Sequence, residues 1–311
     1  MSTLKLSECE KVRDVSALGG VHTLVLSRCN RITDVSMLGR VRNLDLSDCE
    51  NITDFSMLGR GEGQTLNLSG TNVTDVSMFG DAHTLNLSYC INVTDVSALG
   101  RVHTLDLSGC EDLKDVSALG RVHNLNLSET NIKEVIMLGG VHVHNLNLSG
   151  CEKLRSVSSL GSVHILNLAF CTKVADLSAL GNVHDLNLTS CRHVRNVSML
   201  GRGEGQTLNL SQCLKVRDVS ALGNVHTLNL SRCDKVTDVS MLGNVHNLDL
   251  SSTGVTDVSE LGNVHTLNLF NCQVTDVSAL GNVHDLNLRQ CRHVTDVSML
   301  DNVIDLTLPG D

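Results

Sequence analysis

The sequence predicts a solenoid of the α/β class, in which about sixteen short parallel strands alternate with 3₁₀ or irregular turns. Three observations predict it. One motif recurs sixteen times along the 311 residues, at intervals of 19 to 22, and a fixed period of this size is typical of stacked repeats. Each copy holds a segment in which apolar residues alternate. The same copy then holds a segment in which apolar residues recur at every third position.

Each copy follows the consensus V-H-x-L-N-L-S-x-C-x-x-V-T-D-V-S-x-L-G-x. The first leucine of L-N-L lies at Leu4, Leu24, Leu44, Leu66, Leu85, Leu105, Leu125, Leu146, Leu166, Leu186, Leu208, Leu228, Leu248, Leu267, Leu286 and Leu306. One copy cannot bury its apolar side chains alone, so neighbouring copies must stack. We expect a single domain, residues 1–311, with no separate cap or catalytic domain.

The L-N-L segment predicts a short strand. Because successive side chains of a strand lie on opposite faces, its two leucines are expected to point inward and its middle residue outward. The middle residue is Asn in ten copies and Asp in three. We therefore expect an asparagine ladder, with these side chains bonded to one another along the stack.

The next segment predicts a 3₁₀ turn. Val236, Val239 and Leu242 are three residues apart, and residues three apart lie above one another in a 3₁₀ helix. Asp238 is expected to be the N-cap and Gly243 to end the turn. Elsewhere, Phe55 and Phe79 replace inward residues of the pattern and are expected to lie in the core.

The motif V-x-x-L-x-L-x-x-C-x-x-V resembles the leucine-rich repeat, whose pattern is LxxLxLxxN/C, over the whole chain. The segment L-S-x-C-x-x-V-T-D is similar to the cysteine-containing subclass found behind F-boxes, and V-x-x-V-x-x-L resembles the compact internalin type. Copies as short as these also resemble proteins of large DNA viruses of amoebae. The resemblance implies a leucine-rich repeat solenoid, a horseshoe or arc with the strands on its concave face and the turns on its convex face. It also implies a protein-interaction scaffold.

Composition argues for an intracellular, cytoplasmic protein. The net charge of −10 does not favour nucleic-acid binding, which needs a clustered basic surface. No secretion signal or membrane-spanning run is visible. Twelve cysteines in such a chain are expected to be free thiols. Eleven Asn-x-Ser/Thr sequons occur, including strand positions such as Asn67 and Asn229, where a glycan would collide with the sheet. For a viral protein the compartment would be the host cytoplasm.

All the cysteines share one consensus position: Cys9, Cys29, Cys49, Cys90, Cys110, Cys151, Cys171, Cys191, Cys213, Cys233, Cys272 and Cys291. Threonine fills that position at Thr71, Thr130 and Thr253. Threonine cannot replace a thiol nucleophile or a zinc ligand. We expect a free cysteine ladder that packs in the interior and donates weak hydrogen bonds to backbone carbonyls.

Eleven histidines also share one position, two residues before the first leucine: His22, His83, His103, His123, His144, His164, His184, His226, His246, His265 and His284. Within one copy, His226 and Cys233 would lie at opposite ends of an extended segment, about 20 Å apart, too far for a nucleophile and its base. The sequence therefore predicts no enzyme, no catalytic residue, no cofactor and no dedicated metal site. Stacked imidazoles are expected to loosen the fold below about pH 6 and to pick up Zn²⁺ or Cu²⁺ adventitiously.

Candidate binding residues are those that interrupt the polar columns of the strand side. Ile165 and Phe170 place an apolar spot in one copy, and Tyr89, Phe270, Arg232 and Arg289 are further interruptions. Aromatic and arginine side chains dominate binding hot spots, although drift on a permissive surface explains them equally well. We expect an unidentified protein partner on the concave face, and neither nucleic acid nor membrane. The alternative is a structural protein that self-associates through uncapped solenoid ends as a homo-oligomer.

Overall fold

The computed structural model describes residues 2–59, 61, 63–140, 142–203 and 205–310. Two compact units divide the chain, residues 1–153 and residues 154–311. Each unit is described by itself below. The expectation of a single domain remains a prediction.

The first unit contains eight three-residue strands that pair in parallel, each with the next in chain order. The strands are β1 (Thr3–Lys5), β2 (Thr23–Val25), β3 (Asn43–Asp45), β4 (Thr65–Asn67), β5 (Thr84–Asn86), β6 (Thr104–Asp106), β7 (Asn124–Asn126) and β8 (Asn145–Asn147). Their register places leucine beside leucine, as Leu24 beside Leu44.

The second unit repeats this arrangement with eight more strands, again parallel and in chain order. They are β9 (Ile165–Asn167), β10 (Asp185–Asn187), β11 (Thr207–Asn209), β12 (Thr227–Asn229), β13 (Asn247–Asp249), β14 (Thr266–Asn268), β15 (Asp285–Asn287) and β16 (Asp305–Thr307). The described residues thus hold the sixteen parallel strands that the repeat count predicts.

Short 3₁₀ turns connect most strands, as the three-residue spacing predicts. In the first unit they span Ser16–Leu18, Ser36–Leu38, Ser77–Phe79, Ser97–Arg101, Ser117–Leu119 and Ile136–Leu138. In the second unit they span Leu160–Ser162, Leu180–Asn182, Ser220–Leu222, Ser240–Leu242, Ser259–Leu261 and Ser278–Leu280. None of the helices in the described part of the chain has the length and hydrophobicity needed to cross a membrane.

The aspartate that precedes most turns lies one residue before the N-cap position, instead of at the N-cap as predicted. The N-cap position before Ser240–Leu242 is Val239, not Asp238. Asp238 still acts on the turn, because its Oδ1 accepts a hydrogen bond from the Ser240 N–H at 3.0 Å. The same bond forms at 2.8 to 3.0 Å in all twelve copies that have aspartate there. The side chain therefore bridges the bend that leads into the turn.

Gly243 ends its turn, but not through a left-handed conformation. Its φ is −61°, which any residue can adopt. A Cβ built on Gly243 would lie 2.3 Å from the carbonyl oxygen of Glu260 in the next copy. Glycine is needed here because consecutive turns approach backbone to backbone.

The core of each unit is a stack of aliphatic side chains from consecutive copies. In the second copy Leu24 lies within its strand and Leu26 just beyond it, and both are completely buried. Phe55 and Phe79 are 4% and 0% exposed, so both are core residues as predicted. Each copy buries its apolar side chains against its neighbours, which is how stacked repeats acquire stability.

Candidate interaction surface

Four outward columns form what we call the strand face. In the copy around β12 they are represented by Thr227, Asn229, Ser231 and Arg232. All six candidate binding residues belong to these columns. The backbone of each column determines which side chains it can carry.

The asparagine column forms a ladder in which most hydrogen bonds are made within each copy. Asn229 Oδ1 accepts a bond from the Ser231 N–H, two residues ahead, at 2.8 Å. All thirteen Asn and Asp side chains of the column accept this bond. Bonding along the stack occurs at Asn126, which donates to Asp106 at 3.1 Å. The asparagine ladder is present as a column of repeated hydrogen bonds, in which a short acceptor turns the chain out of each strand.

The residue before the consensus cysteine, or before the threonine that replaces it, adopts the left-handed backbone region. Its φ lies between 55° and 74° in all fifteen copies that have such a residue. The column consists of Glu8, Arg28, Asp48, Gly70, Tyr89, Gly109, Glu129, Gly150, Phe170, Ser190, Gln212, Arg232, Ser252, Asn271 and Gln290. We call it the left-handed column. No member is β-branched, which agrees with the strong steric penalty on such residues at positive φ.

In the first unit this column carries charged and aromatic side chains that contact one another. Arg28 forms ion pairs with Glu8 at 3.0 Å and with Asp48 at 3.3 Å. The Tyr89 hydroxyl donates to Glu129 Oε2 at 3.2 Å. The Tyr89 ring extends over Gly109, where an added Cβ would lie 2.6 Å from it. These pairs are exposed to solvent, so each contributes little to the stability of the fold.

The apolar spot of the second unit lies on one copy, around β9. Ile165 is 39% exposed and Phe170 is 53% exposed, whereas Ala169 between them is buried. Phe170 has a φ of 62°, which is unusual for a bulky residue. Two large apolar side chains are thus partly exposed to solvent in the same copy.

The other candidates of the second unit are spread over three copies. Phe270 and Arg289 share the serine column of neighbouring copies, because β14 and β15 pair in register. Their N–H groups still bond to Asn268 and Asn287, so this column tolerates any side chain. Arg232 lies in the left-handed column, in the copy around β12. Ile165 and Phe170 therefore share a copy, Phe270 and Arg289 are neighbours, and Arg232 stands apart.

The left-handed column is a feature that the sequence pattern did not predict. A signal was present, since Gly70, Gly109 and Gly150 occupy the same consensus position, and recurrent glycine marks a positive φ. The varied residues in the other twelve copies obscured it.

The cysteine column is structural, as predicted. Eleven of the twelve thiols are buried, and all twelve are free. Ten donate to the carbonyl oxygen of a leucine in the preceding copy, with Sγ–O distances of 2.8 to 3.2 Å. Burial raises the pKa of the Cys49 thiol to about 11 and that of Cys191 to about 12. Such thiols stay protonated at neutral pH and are poor nucleophiles.

The threonines of this column bond differently. Thr71 Oγ1 donates to the carbonyl of Leu68 in its own copy at 2.7 Å. Cys90 of the next copy donates to the same carbonyl at 3.1 Å. Thr130 and Thr253 repeat the bond within their own copies. Threonine thus satisfies its hydroxyl locally and leaves the contact with the following copy intact.

The histidines form stacked rows on the flank before each strand. Seven ring pairs have centroids 4.5 to 5.1 Å apart and planes within 30° of parallel. This is the strand spacing that the repeat predicts. His226 is exposed whereas Cys233 is buried and bonded to Leu210, so the two do not form a nucleophile–base pair.

Mild acid is expected to destabilise these rows. Removal from water, and then the neighbouring rings of His83 and His123, hold the pKa of His103 below its ordinary value of 6.5. The unfolded chain therefore takes up this proton at higher pH than the folded chain. The stability that neutral His103 contributes is complete above pH 6.5 and is lost as the pH falls from 6.5 through the lower pKa of the folded chain. We expect a lower melting temperature at pH 5.5 than at pH 7.5, measured by circular dichroism, and a smaller difference in His103→Asn. An identical pH dependence in the variant would contradict this.

The chain has two glycine-rich insertions, Gly59–Gln64 and Gly201–Gln206. They resemble phosphate-binding loops, but each precedes a strand instead of opening a helix. We therefore expect them to be bulged loops on the flank. Residues 60, 62 and 204 of these insertions lie outside the described residues. Gln64 and Gln206 take the place of histidine in their copies, but they are buried. Each Nε2 donates to two backbone carbonyls of the preceding copy at 2.8 to 3.0 Å. These glutamines have a structural role.

Solved structures with a similar fold are leucine-rich repeat proteins. An internalin (inlF) from Listeria monocytogenes is 19% identical, with a TM-score of 0.55, and the match covers 97% of this chain and 85% of that one. The functional domain of InlJ from the same species, which includes a cysteine ladder, is 18% identical with a TM-score of 0.59, covering 92% and 72%. A leucine-rich repeat protein of Leptospira interrogans is 16% identical with a TM-score of 0.54, covering 91% and 89%. No protein-family model and no curated protein matches the sequence.

These identities are too low to transfer a function, and they concern the fold. The parallel in-register strands, the 3₁₀ turns and the buried cysteine column agree with the similarity. The chain has the fold of a leucine-rich repeat solenoid.

Proposed function

We propose that the chain is a protein-interaction scaffold that binds a partner protein through the strand face, with Ile165 and Phe170 at the centre of the contact. The resemblance to leucine-rich repeats implies that this face is the concave side. One observation carries the proposal: two large apolar side chains, 39% and 53% exposed, occupy the same copy. Apolar side chains that become desolvated at an interface supply most of its binding energy.

The composition of the columns supports this choice of residues. Ile165 is the one apolar residue of its column, which holds threonine in eight copies. Phe170 occupies a left-handed position at which glycine would fit without strain. Other copies of the scaffold carry threonine or glycine at these positions, and a contact outside the scaffold would give both side chains a role.

The test is a double substitution that uses residues from other copies of the chain. Ile165→Thr restores the commonest residue of its column, and Phe170→Gly repeats what Gly70, Gly109 and Gly150 already provide. The variant is therefore expected to unfold at the same or a higher denaturant concentration than the wild type. The partner is first captured from native cells, and its affinity for each variant is then measured with purified components. The affinity of the double variant is expected to fall at least about tenfold.

The matched control is Met241→Ala, which removes a side chain that is 60% exposed on a 3₁₀ turn. This variant is expected to retain the partner. Undiminished binding by the folded double variant would contradict the proposal. Recovery of nothing but further copies of the chain, with a molar mass that rises with concentration in light scattering, would instead support the self-associating structural protein.

We further infer a cytoplasmic location, the host cytoplasm if the very short repeats are of the viral type that they resemble. The free thiols support it, as do sequons such as Asn67 and Asn229 within strands β4 and β12. Fractionation of native cells tests the inference. Recovery of a glycosylated chain from the secretory pathway would refute it.

A further inference from the structure

In the second unit a row of four stacked imidazoles ends beside a carboxylate. The rings of His226, His246, His265 and His284 follow one another with centroid distances of 4.7, 4.6 and 4.5 Å. The next copy has Ile304 at this position. The last histidine pair is the closest of the described stacks.

Asp285 brings a third donor to that pair. Ligand atoms of His265, His284 and Asp285 all lie within 4.8 Å of one another. Among the residues that the structure describes, this is the one group of three such side chains. The imidazoles come from the residues that precede β14 and β15, and the carboxylate from the first residue of β15.

Hydrogen bonds hold the carboxylate in place. His284 Nδ1 and Asp285 Oδ1 are 2.7 Å apart, and Thr266 Oγ1 donates to Asp285 Oδ2 at 3.1 Å. The carboxylate and the His284 ring thus lie side by side, so that one ion can contact both. The side chains of His284 and Asp285 are 42% and 38% exposed, so an ion from solvent can reach them.

The local charge also favours a cation. Asp285 is in register with Asp305 of β16, which places their Cα atoms at the strand spacing of about 4.8 Å. Like charges at this distance disfavour each other. A bound dication would offset both negative charges.

We propose that His265, His284 and Asp285 bind one divalent first-row transition-metal ion, such as Zn²⁺, and thereby join β14 to β15. Imidazole nitrogen and carboxylate oxygen are suitable ligands, at distances of about 2.0–2.2 Å. The side chains must close inward by about 1 Å, which exposed torsions allow. The sequence predicted no metal site because the histidine column alone offers two donors per neighbouring pair, and it does not show that Asp285 lies beside that pair.

The chain contains its own control. His164, His184 and Asp185 repeat the same residue types at the same consensus positions. The rings of His164 and His184 stack at 4.7 Å, but Asp185 does not complete such a group among the described residues. Its in-register neighbour is Thr207 rather than a second carboxylate.

Titration of the full chain with ZnCl₂ at pH 7.5, followed by isothermal calorimetry, tests the proposal. Wild type is expected to show one equivalent of tighter binding. Asp285→Asn is expected to weaken it at least about tenfold, and His284→Gln, which copies the residue at Gln64, is expected to abolish it. Asp185→Asn should bind like the wild type, and Mg²⁺ should not compete. Circular dichroism confirms that each variant is folded.

Two outcomes would overturn the proposal. One is that no Zn²⁺ binds. The other is that several equivalents bind with equal affinity and Asp285→Asn changes nothing, as adventitious binding by the histidine rows requires.

Discussion

Phe79→Ala is expected to lower the free energy of unfolding by about 3–5 kcal/mol. Phe79 is the largest completely buried side chain, 0% exposed, in the 3₁₀ turn Ser77–Phe79. Its ring lies beside Gly59, where a Cβ would come within 2.8 Å of it. Alanine would leave a cavity that the surrounding leucines of neighbouring copies cannot fill. Urea unfolding followed by circular dichroism measures the loss.

Phe79→Leu is the matched control, because leucine is the consensus residue of that turn. A near volume-conserving change of this kind is expected to cost less than about 1.5 kcal/mol. Equal losses in the alanine and leucine variants would show that the ring does not pack as described. The Phe79 ring packs between neighbouring copies. Because the stability of stacked repeats depends on these interfaces, Phe79→Ala is also expected to make the unfolding transition less cooperative.

Gly120→Ala is expected to destabilise the first unit by about 1–3 kcal/mol, the usual cost of overpacking. The conformation of Gly120 is αR, with a φ of −63°, so backbone torsion is not the reason. The added Cβ would lie 2.4 Å from the carbonyl oxygen of Met137 in the next copy. That atom belongs to the backbone, so the two turns must separate.

Gly140→Ala separates this effect from the general consequence of replacing glycine. A Cβ on Gly140 would be 3.5 Å from its nearest neighbour, the carbonyl oxygen of Gly120, which is ordinary contact. The substitution restricts the unfolded chain and is expected to be neutral or to stabilise by up to about 1 kcal/mol. Chemical denaturation of the two variants side by side gives the comparison. A loss in Gly140→Ala as large as that in Gly120→Ala would refute the close approach of the turns.

Much of the fold could be predicted because its contacts repeat at the same separation as its sequence. The register of Leu24 beside Leu44 follows from the interval between copies. The burial of Phe79 follows from the pattern position it occupies. The cysteine–carbonyl bonds follow from the small, inward, weakly polar position that cysteine and threonine share.

Other features depend on backbone torsion and could not be predicted from apolar periodicity. Alternation says that Asn229 points outward, but not that its Oδ1 bends back to the Ser231 N–H. Arg232 and Phe170 give no local sign of a positive φ. The sequence therefore identified the residues of the candidate surface but not the backbone conformation that holds them. The grouping of His265, His284 and Asp285 depends on side-chain torsions, which the sequence does not show.

The left-handed column has a consequence for protein engineering. Glu, Arg, Asp, Tyr, Phe, Ser, Gln and Asn are all accommodated in it at a φ between 55° and 62°. Exchanging one of these for another leaves the backbone and the core as they are. A combinatorial library restricted to this column and to non-β-branched residues would vary the outward chemistry of up to fifteen positions at nearly constant stability. The scaffold would then serve as a source of new binders.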